Sequence, residues 1–400
     1  MNFFKLSIYS ILIISTLLVS CTKDEPVIEP TKLDKDITTD MILTNINPDP
    51  SAIDYIVSKE NLNVTAKLII EPGVTIAFEA NTGLYLPYTG KGSIISKGTT
   101  SLPIVFTGMT KTPGFWNGIL IATADTNNAF EQCTFEYAGG KGLFGSGNPL
   151  CNVLIAKVGT VIGKVNIRNC TFQHSKGMGL CVTNEAELLS FESNAFISNE
   201  LAPMQVPPSE VDMINSTSSF SNGNGYNGVE IIGQNLEQLA EVKWNKLSNA
   251  SSYKILGSIT VLSGLDIQPG AIFDMETGVL FRATFPKGYI KAVGTGTDKI
   301  TFKGVKASKG SWKGILFTTS DLNNELSHCI ISGGGGGSLI TGLSLANIGV
   351  FTQSGNVGKL KINNCTIENG AGCGLSIGAN TAVVQSGNTF LNLTGGDVCN

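Results

Sequence analysis

The chain has 400 residues, 47 of them glycine, a net charge of −4 and only 14% charged residues. So little basic character, with arginine only at Arg168 and Arg282, excludes nucleic acid as a partner, because nucleic acid needs a basic surface. The 42% of apolar residues suffice for a large core and exclude a disordered polymer.

The N-terminus reads as a processing segment. Lys5 gives a positive start, and Leu6 to Leu18 is a short run of mostly Ile and Leu with Ser and Thr mixed in. It is too short and too rich in Ser for a membrane span and suits a secretory leader. The run closes on Leu18-Val19-Ser20-Cys21, with Lys23-Asp24-Glu25 directly after it. That tetrad resembles the lipobox of bacterial lipoproteins. The resemblance implies cleavage before Cys21 and lipid on its thiol, the side chain nucleophilic enough near neutral pH. Several acyl chains anchor stably where one does not. The Lys-Asp-Glu resembles the tag that sends such proteins to the outer face of the outer membrane. We therefore expect a signal peptide over 1–20, a flexible tether over 21–40 rich in Pro, Asp, Glu, Lys and Thr, and a cap on the folded part around 41–64.

Beyond the tether the chain is duplicated. Glu71-Pro72-Gly73-Val74 returns as Gln268-Pro269-Gly270-Ala271, and Trp116-Asn117-Gly118-Ile119-Leu120 as Trp312-Lys313-Gly314-Ile315-Leu316. Asp125-Thr126-Asn127-Asn128 returns as Asp321-Leu322-Asn323-Asn324, and Asn169-Cys170-Thr171-Phe172 as Asn364-Cys365-Thr366-Ile367. The offset stays between 195 and 197 residues, which gives a first copy over 41–225 and a second over 226–400. Inside each copy, strands of three to five residues alternate with Gly and Asn turns at a period above 20 residues. That pattern predicts an all-β, right-handed parallel β-helix, in which stacked coils bury what one coil cannot. The Pro-, Ser- and Gly-rich stretch 201–228 is read as a loop on one continuous solenoid rather than a linker between two.

These units resemble parallel β-helix repeat proteins of the pectin-lyase-like superfamily, over nearly all of 60–400. More closely, they are similar to lipoproteins of that group built from Pro-Gly-Val and Trp-x-Gly-Ile units. The scaffold hosts lyases, hydrolases and adhesins, so the resemblance implies a fold more than an activity.

Four residues stand out as ligand candidates. Asp125 and its repeat partner Asp321 are the duplicated carboxylates, read either as turn residues or as a ligand or calcium site. Trp116 and Trp312 are the duplicated aromatics, read either as packing or as platforms for sugar rings. The unduplicated Tyr85, Tyr88, Tyr226 and Trp244 are further aromatic candidates whose facing cannot be read from sequence. His174 and His328 have Asn369 and Gln132 in their repeat slots, which favours turns over catalysis. Cys133, Cys170, Cys329 and Cys365 occupy repeat slots and read as inward thiols, with the remaining cysteines free to bridge. No Gly-His-Gly hydrolase signature occurs. No cofactor is expected, calcium being the one ion the acids suggest. The expected function is a non-catalytic, surface-anchored lipoprotein that binds a polysaccharide or a surface protein. The alternative is a lyase-type enzyme acting on polysaccharide.

Overall fold

A computed structural model describes residues 28–400, except 144, 146 and 344. The expected leader and Cys21 lie outside the described residues. The chain winds into coils of short strands, and each strand pairs in parallel with its counterpart one coil later. The described residues form five parallel sheets, plus one antiparallel hairpin of Lys157–Val158 with Val161–Ile162.

One sheet runs the length of the solenoid. It holds 13 strands, from Asn61–Asn63 to Thr389–Leu391. At about 4.8 Å per strand it is ~60 Å long. Two sheets accompany it through the first copy. One has 8 strands, from Thr31–Leu33 to Ser219–Asn222, and the other has 6, from Met41–Leu43 to Glu187–Glu192. Two others replace them in the second copy. One has 7 strands, beginning at Asn235–Leu236, and the other has 6, beginning at Val242–Trp244. The unbroken sheet confirms a single solenoid.

The exchange of sheets has a simple cause. Ile104–Gly108 belongs to the eight-stranded sheet, but its repeat partner Ile300–Gly304 belongs to the through sheet. Likewise Gly118–Ile121 lies in the through sheet and its partner Gly314–Phe317 in the seven-stranded one. The first copy ends on Ser219–Asn222, one strand past a full turn, so the second copy starts one face later. Two 3-10 turns, Pro208–Met213 and Ser248–Ala250, fill the join. There Ser248 Oγ donates to Ser218 O at 2.6 Å and Asn245 Nδ2 to Ile214 O at 3.2 Å.

The inside of the coil is a stack of like residues. Phe106, Phe135, Phe172, Phe196 and Phe220 lie ring on ring, with successive centroids 5.0, 5.0, 4.9 and 5.4 Å apart. Cys133, Cys170, Cys329 and Cys365 join this core as free buried thiols, and Cys373 bonds Cys399. Corners use left-handed backbone, which Asn tolerates better than most residues. Asn169, Asn364 and Asn369 sit there with φ of 53°, 52° and 54°. His174 and His328 fill equivalent corners at 50° and 49°, so both are turn residues.

Two boundaries need correction. The expected tether ends earlier than residue 40, because Thr31–Leu33 pairs with Tyr55–Val57 and Ile37 bridges Val64. Leu33, Ile37 and Leu43 are buried and supply this first coil with its inner face. Nor is 41–64 a separate cap, since Met41–Leu43, Tyr55–Val57 and Asn61–Asn63 are rungs of three sheets.

Candidate functional site

The outward side chains of the through sheet form one column, and the column changes character along the rod. It begins Asn63–Tyr85–Leu120–Leu154–Cys181, each opposite the next. It continues Gln205–Glu230–Lys254–Asp274–Lys303–Ser332. The apolar middle is roofed by a Gly-rich loop through Leu143, which shares one buried cluster with Leu120, Leu154 and Cys181. Polar groups are open to solvent only before and after that roof, and a groove lies at each place.

The groove after the roof is charged. It has a volume of about 470 Å³ and is lined by Tyr226, Asp274, Lys303, Lys306, Ser332 and Asn369 with the backbone of 304–308. Tyr226 lies along the sheet because Gly228 has no Cβ; one there would sit 2.8 Å from the ring. The Tyr226 hydroxyl donates to Asp274 Oδ2 at 2.7 Å, and Ser252 Oγ donates to the same oxygen at 2.5 Å. Lys254 Nζ sits 5.4 Å from the centre of the Tyr226 ring. It is also held between Glu230 at 3.4 Å and Glu276 at 3.3 Å. Lys303 faces Asp274 at 3.5 Å, while Lys306 is exposed and meets no carboxylate among the described residues.

These surroundings fix the protons. Burial pushes the Tyr226 phenol up, and the charge of Asp274 adds to that. Burial pulls Lys254 down, but its two glutamates outweigh this and leave it above the usual lysine value. Both groups therefore hold their protons at neutral pH, which suits hydrogen-bond donation and opposes service as a base.

Charge alternation alone does not mark a site, because other sheets also carry it. Lys97, Glu131, Arg168 and Glu192 alternate on one, and Lys243, Asp266, Lys291, Glu325 and Lys361 on another. The column of Lys97, Glu131 and Arg168 also lines a groove, of about 320 Å³. What sets the Tyr226 groove apart is the tyrosine on its floor beside a carboxylate and lysines.

The groove before the roof is uncharged in sum. It has a volume of about 510 Å³ and is lined by Asn61, Asn63, Tyr85, Asn117 and the facing pair Glu60 and Lys141. Glu60 and Lys141 approach to 3.8 Å.

The candidates from sequence stand elsewhere. Trp116 and Trp312 are fully buried, with indole nitrogens donating to Glu136 O and Ser332 O, each at 2.8 Å. Trp116 stacks on Phe78 at 3.9 Å. The sugar-platform reading of both tryptophans is thus corrected, because no ligand ring reaches a side chain enclosed by the coil. Asp125 Oδ1 accepts from Asn127 N at 2.8 Å, and Asp321 Oδ1 from Asn323 N at 2.8 Å. Each carboxylate closes its own turn. The motif's deeper work is done by Asn128 and Asn324, buried and bridging neighbouring coils. Among the described residues no group of three or more His, Cys, Asp or Glu is placed to hold a metal ion. Of the unduplicated aromatics, Tyr85 and Tyr226 line the grooves, Tyr88 is exposed and Trp244 is buried.

Comparison with known proteins gives the fold a family likeness. Residues 42–147 match the family model described as a pectate-lyase-like beta helix domain. A crystal structure of alginate lyase from Paenibacillus sp. str. FPU-7 aligns over 90% of this chain and 97% of its own, at 12% identity and a TM-score of 0.25. The GH136 lacto-N-biosidase from Eubacterium ramulus aligns over 90% of this chain and 68% of its own, at 10% identity and a TM-score of 0.25. At that distance neither lends this chain an activity. No curated protein matches the sequence.

Proposed function

We propose that this chain is a lipid-anchored surface protein whose through sheet binds an acidic polysaccharide without cleaving it. The observation that carries the reading is the Tyr226 groove. It combines a flat aromatic, a carboxylate for sugar hydroxyls, and lysines for acidic groups on one rigid face. A pyranose ring stacks on an aromatic through its C–H face and hydrogen-bonds through its rim, and the groove offers both. The anchor at Cys21 would hold this rod at the membrane and leave its long face available to a polymer.

The lyase reading has one feature in its favour, since the same groove pairs a tyrosine with lysines beside a carboxylate. Against it, a lyase base must take a proton from carbon, and Tyr226 and Lys254 are both tuned to keep theirs. Incubation with polyuronates separates the two. Binding should weaken with added salt, and no ultraviolet absorbance from unsaturated chain ends should develop. A steady rise in that absorbance would make the protein a lyase. Binding that ignores salt would remove the acidic ligand. The anchor is tested apart from this: Cys21→Ala should move the protein from membranes to the soluble fraction.

A further inference from the structure

We propose that the groove around Tyr85 is a second, separate carbohydrate site, and that it takes an uncharged sugar. Its floor is built for stacking. Gly83 sits two residues before Tyr85 on the same side of the strand, and a Cβ there would lie 2.9 Å from Tyr85 Cε2 and 3.0 Å from Gly118 O. Only glycine leaves that space, so the ring lies along the sheet instead of standing off it. A half-buried aromatic held in this way offers one face to a ligand at little entropic cost.

The walls offer hydrogen bonds without charge. Asn63 Nδ2 donates to Asp36 Oδ1 at 3.1 Å and to Asn61 O at 3.2 Å, which turns its carbonyl oxygen to the acceptor's role. Asn117 is buried, and its Nδ2 donates to Asn81 O at 2.7 Å, which fixes the orientation of the amide. Asn117 Oδ1 is buried behind that wall with no donor among the described residues, so its amide serves to hold the wall. The ionised groups at the rim, Glu60 and Lys141, face each other and cancel. An acidic sugar would enter with a charge that nothing spare can meet, whereas a neutral one finds an aromatic face and amides.

This site does not depend on the reading of the Tyr226 groove. The strand of Tyr85 and the strand that follows Tyr226 lie five rungs apart, about 24 Å at ~4.8 Å each, with the roofing loop between them. One neutral ligand cannot lie straight across both.

The test is titration of the full-length chain with neutral gluco-, manno-, xylo- and galacto-oligosaccharides. At least one series should bind, and its affinity should not change with salt. Tyr85→Ala should weaken it by about tenfold, Tyr85→Phe should keep it within about threefold because the ring remains, and Tyr226→Ala should leave it unchanged. Unfolding midpoints of all variants are measured alongside, so that a fold defect in Tyr85→Ala shifts the decision to Tyr85→Leu, which keeps the bulk of the side chain and loses the aromatic face. The proposal is overturned if no neutral series binds, if Tyr85→Phe loses as much as Tyr85→Ala, or if Tyr85→Leu binds as well as the parent.

Discussion

The two grooves share a sheet and a construction, a tyrosine laid across a glycine, but they differ in what surrounds the ring. Around Tyr85 the walls are amides and one self-cancelling ion pair. Around Tyr226 a carboxylate is fed by two hydroxyls and flanked by lysines. The contrast teaches that the solenoid fixes shape through its inward residues and leaves chemistry to the outward ones. The strand Ile300–Gly304 and the loop after it have Lys303, Lys306 and Lys309, where their repeat partners have Thr107, Thr110 and Pro113. Both loops follow a strand of the same inward pattern, so the fold is blind to the difference.

The comparison breaks most readily in the core, where the copies should be alike. Trp116→Ala and Trp312→Ala should each cost about 3–5 kcal/mol, as removal of a buried aromatic does. Denaturant unfolding of the two variants measures this. A cost near zero in one copy would mean that the copies are not equivalent inside.

The join between the copies gives the next largest effect. Glu210, in the 3-10 turn at the seam, is pushed up to about 7 from an ordinary 4.5 by burial, with Asp212 adding to the rise and the amide of Leu188 opposing it. The folded chain therefore holds a proton that the unfolded chain releases. The stability this contributes is fully present below about pH 4.5 and is lost as pH rises through about 7, on the order of 3 kcal/mol in all. Glu210→Gln should flatten that loss in a series of thermal melts from pH 4.5 to 8. An unchanged slope would place the carboxyl in water.

Binding comes third. Lys303→Ala with Lys306→Ala should lower affinity for acidic polysaccharide by about tenfold and remove most of its salt dependence. The reciprocal pair Thr107→Lys and Thr110→Lys should add nothing at the Tyr226 groove, because that loop follows a strand of a different sheet. Smallest of all, Asp125→Ala and Asp321→Ala should each cost under about 1 kcal/mol, a lost turn contact, and should leave ligand binding insensitive to calcium chelators.

Much of this was legible in the sequence where a residue repeats. Trp-x-Gly-Ile and Asn-Cys-Thr recur because each fills one slot of a coil, and such slots give the fold away. The rotation of the second copy was not legible. It arises from the strand Ser219–Asn222 and the turn Pro208–Met213, whose Pro and Ser read as loop. The start of the first coil was read as tether because Leu33 and Ile37 are too sparse to make a pattern by themselves. The grooves were half legible. Tyr85 and Tyr226 stand out by not repeating, but their orientation depends on Gly83 and Gly228, and the partner of Tyr226 at Asp274 is 48 residues away.

The one-face offset also decides how the molecule meets a flat surface. In most tandem repeats, equivalent positions point the same way, so two equal contacts reinforce each other. Here Leu143 covers the through sheet, and Leu339 in the second copy's Gly-rich loop covers another sheet, clustered with Leu316, Ala346 and Cys373. Equivalent features therefore look in different directions, and one surface cannot engage both. The duplication supplies no avidity between like sites; it supplies a longer rod on which unlike sites can share a side.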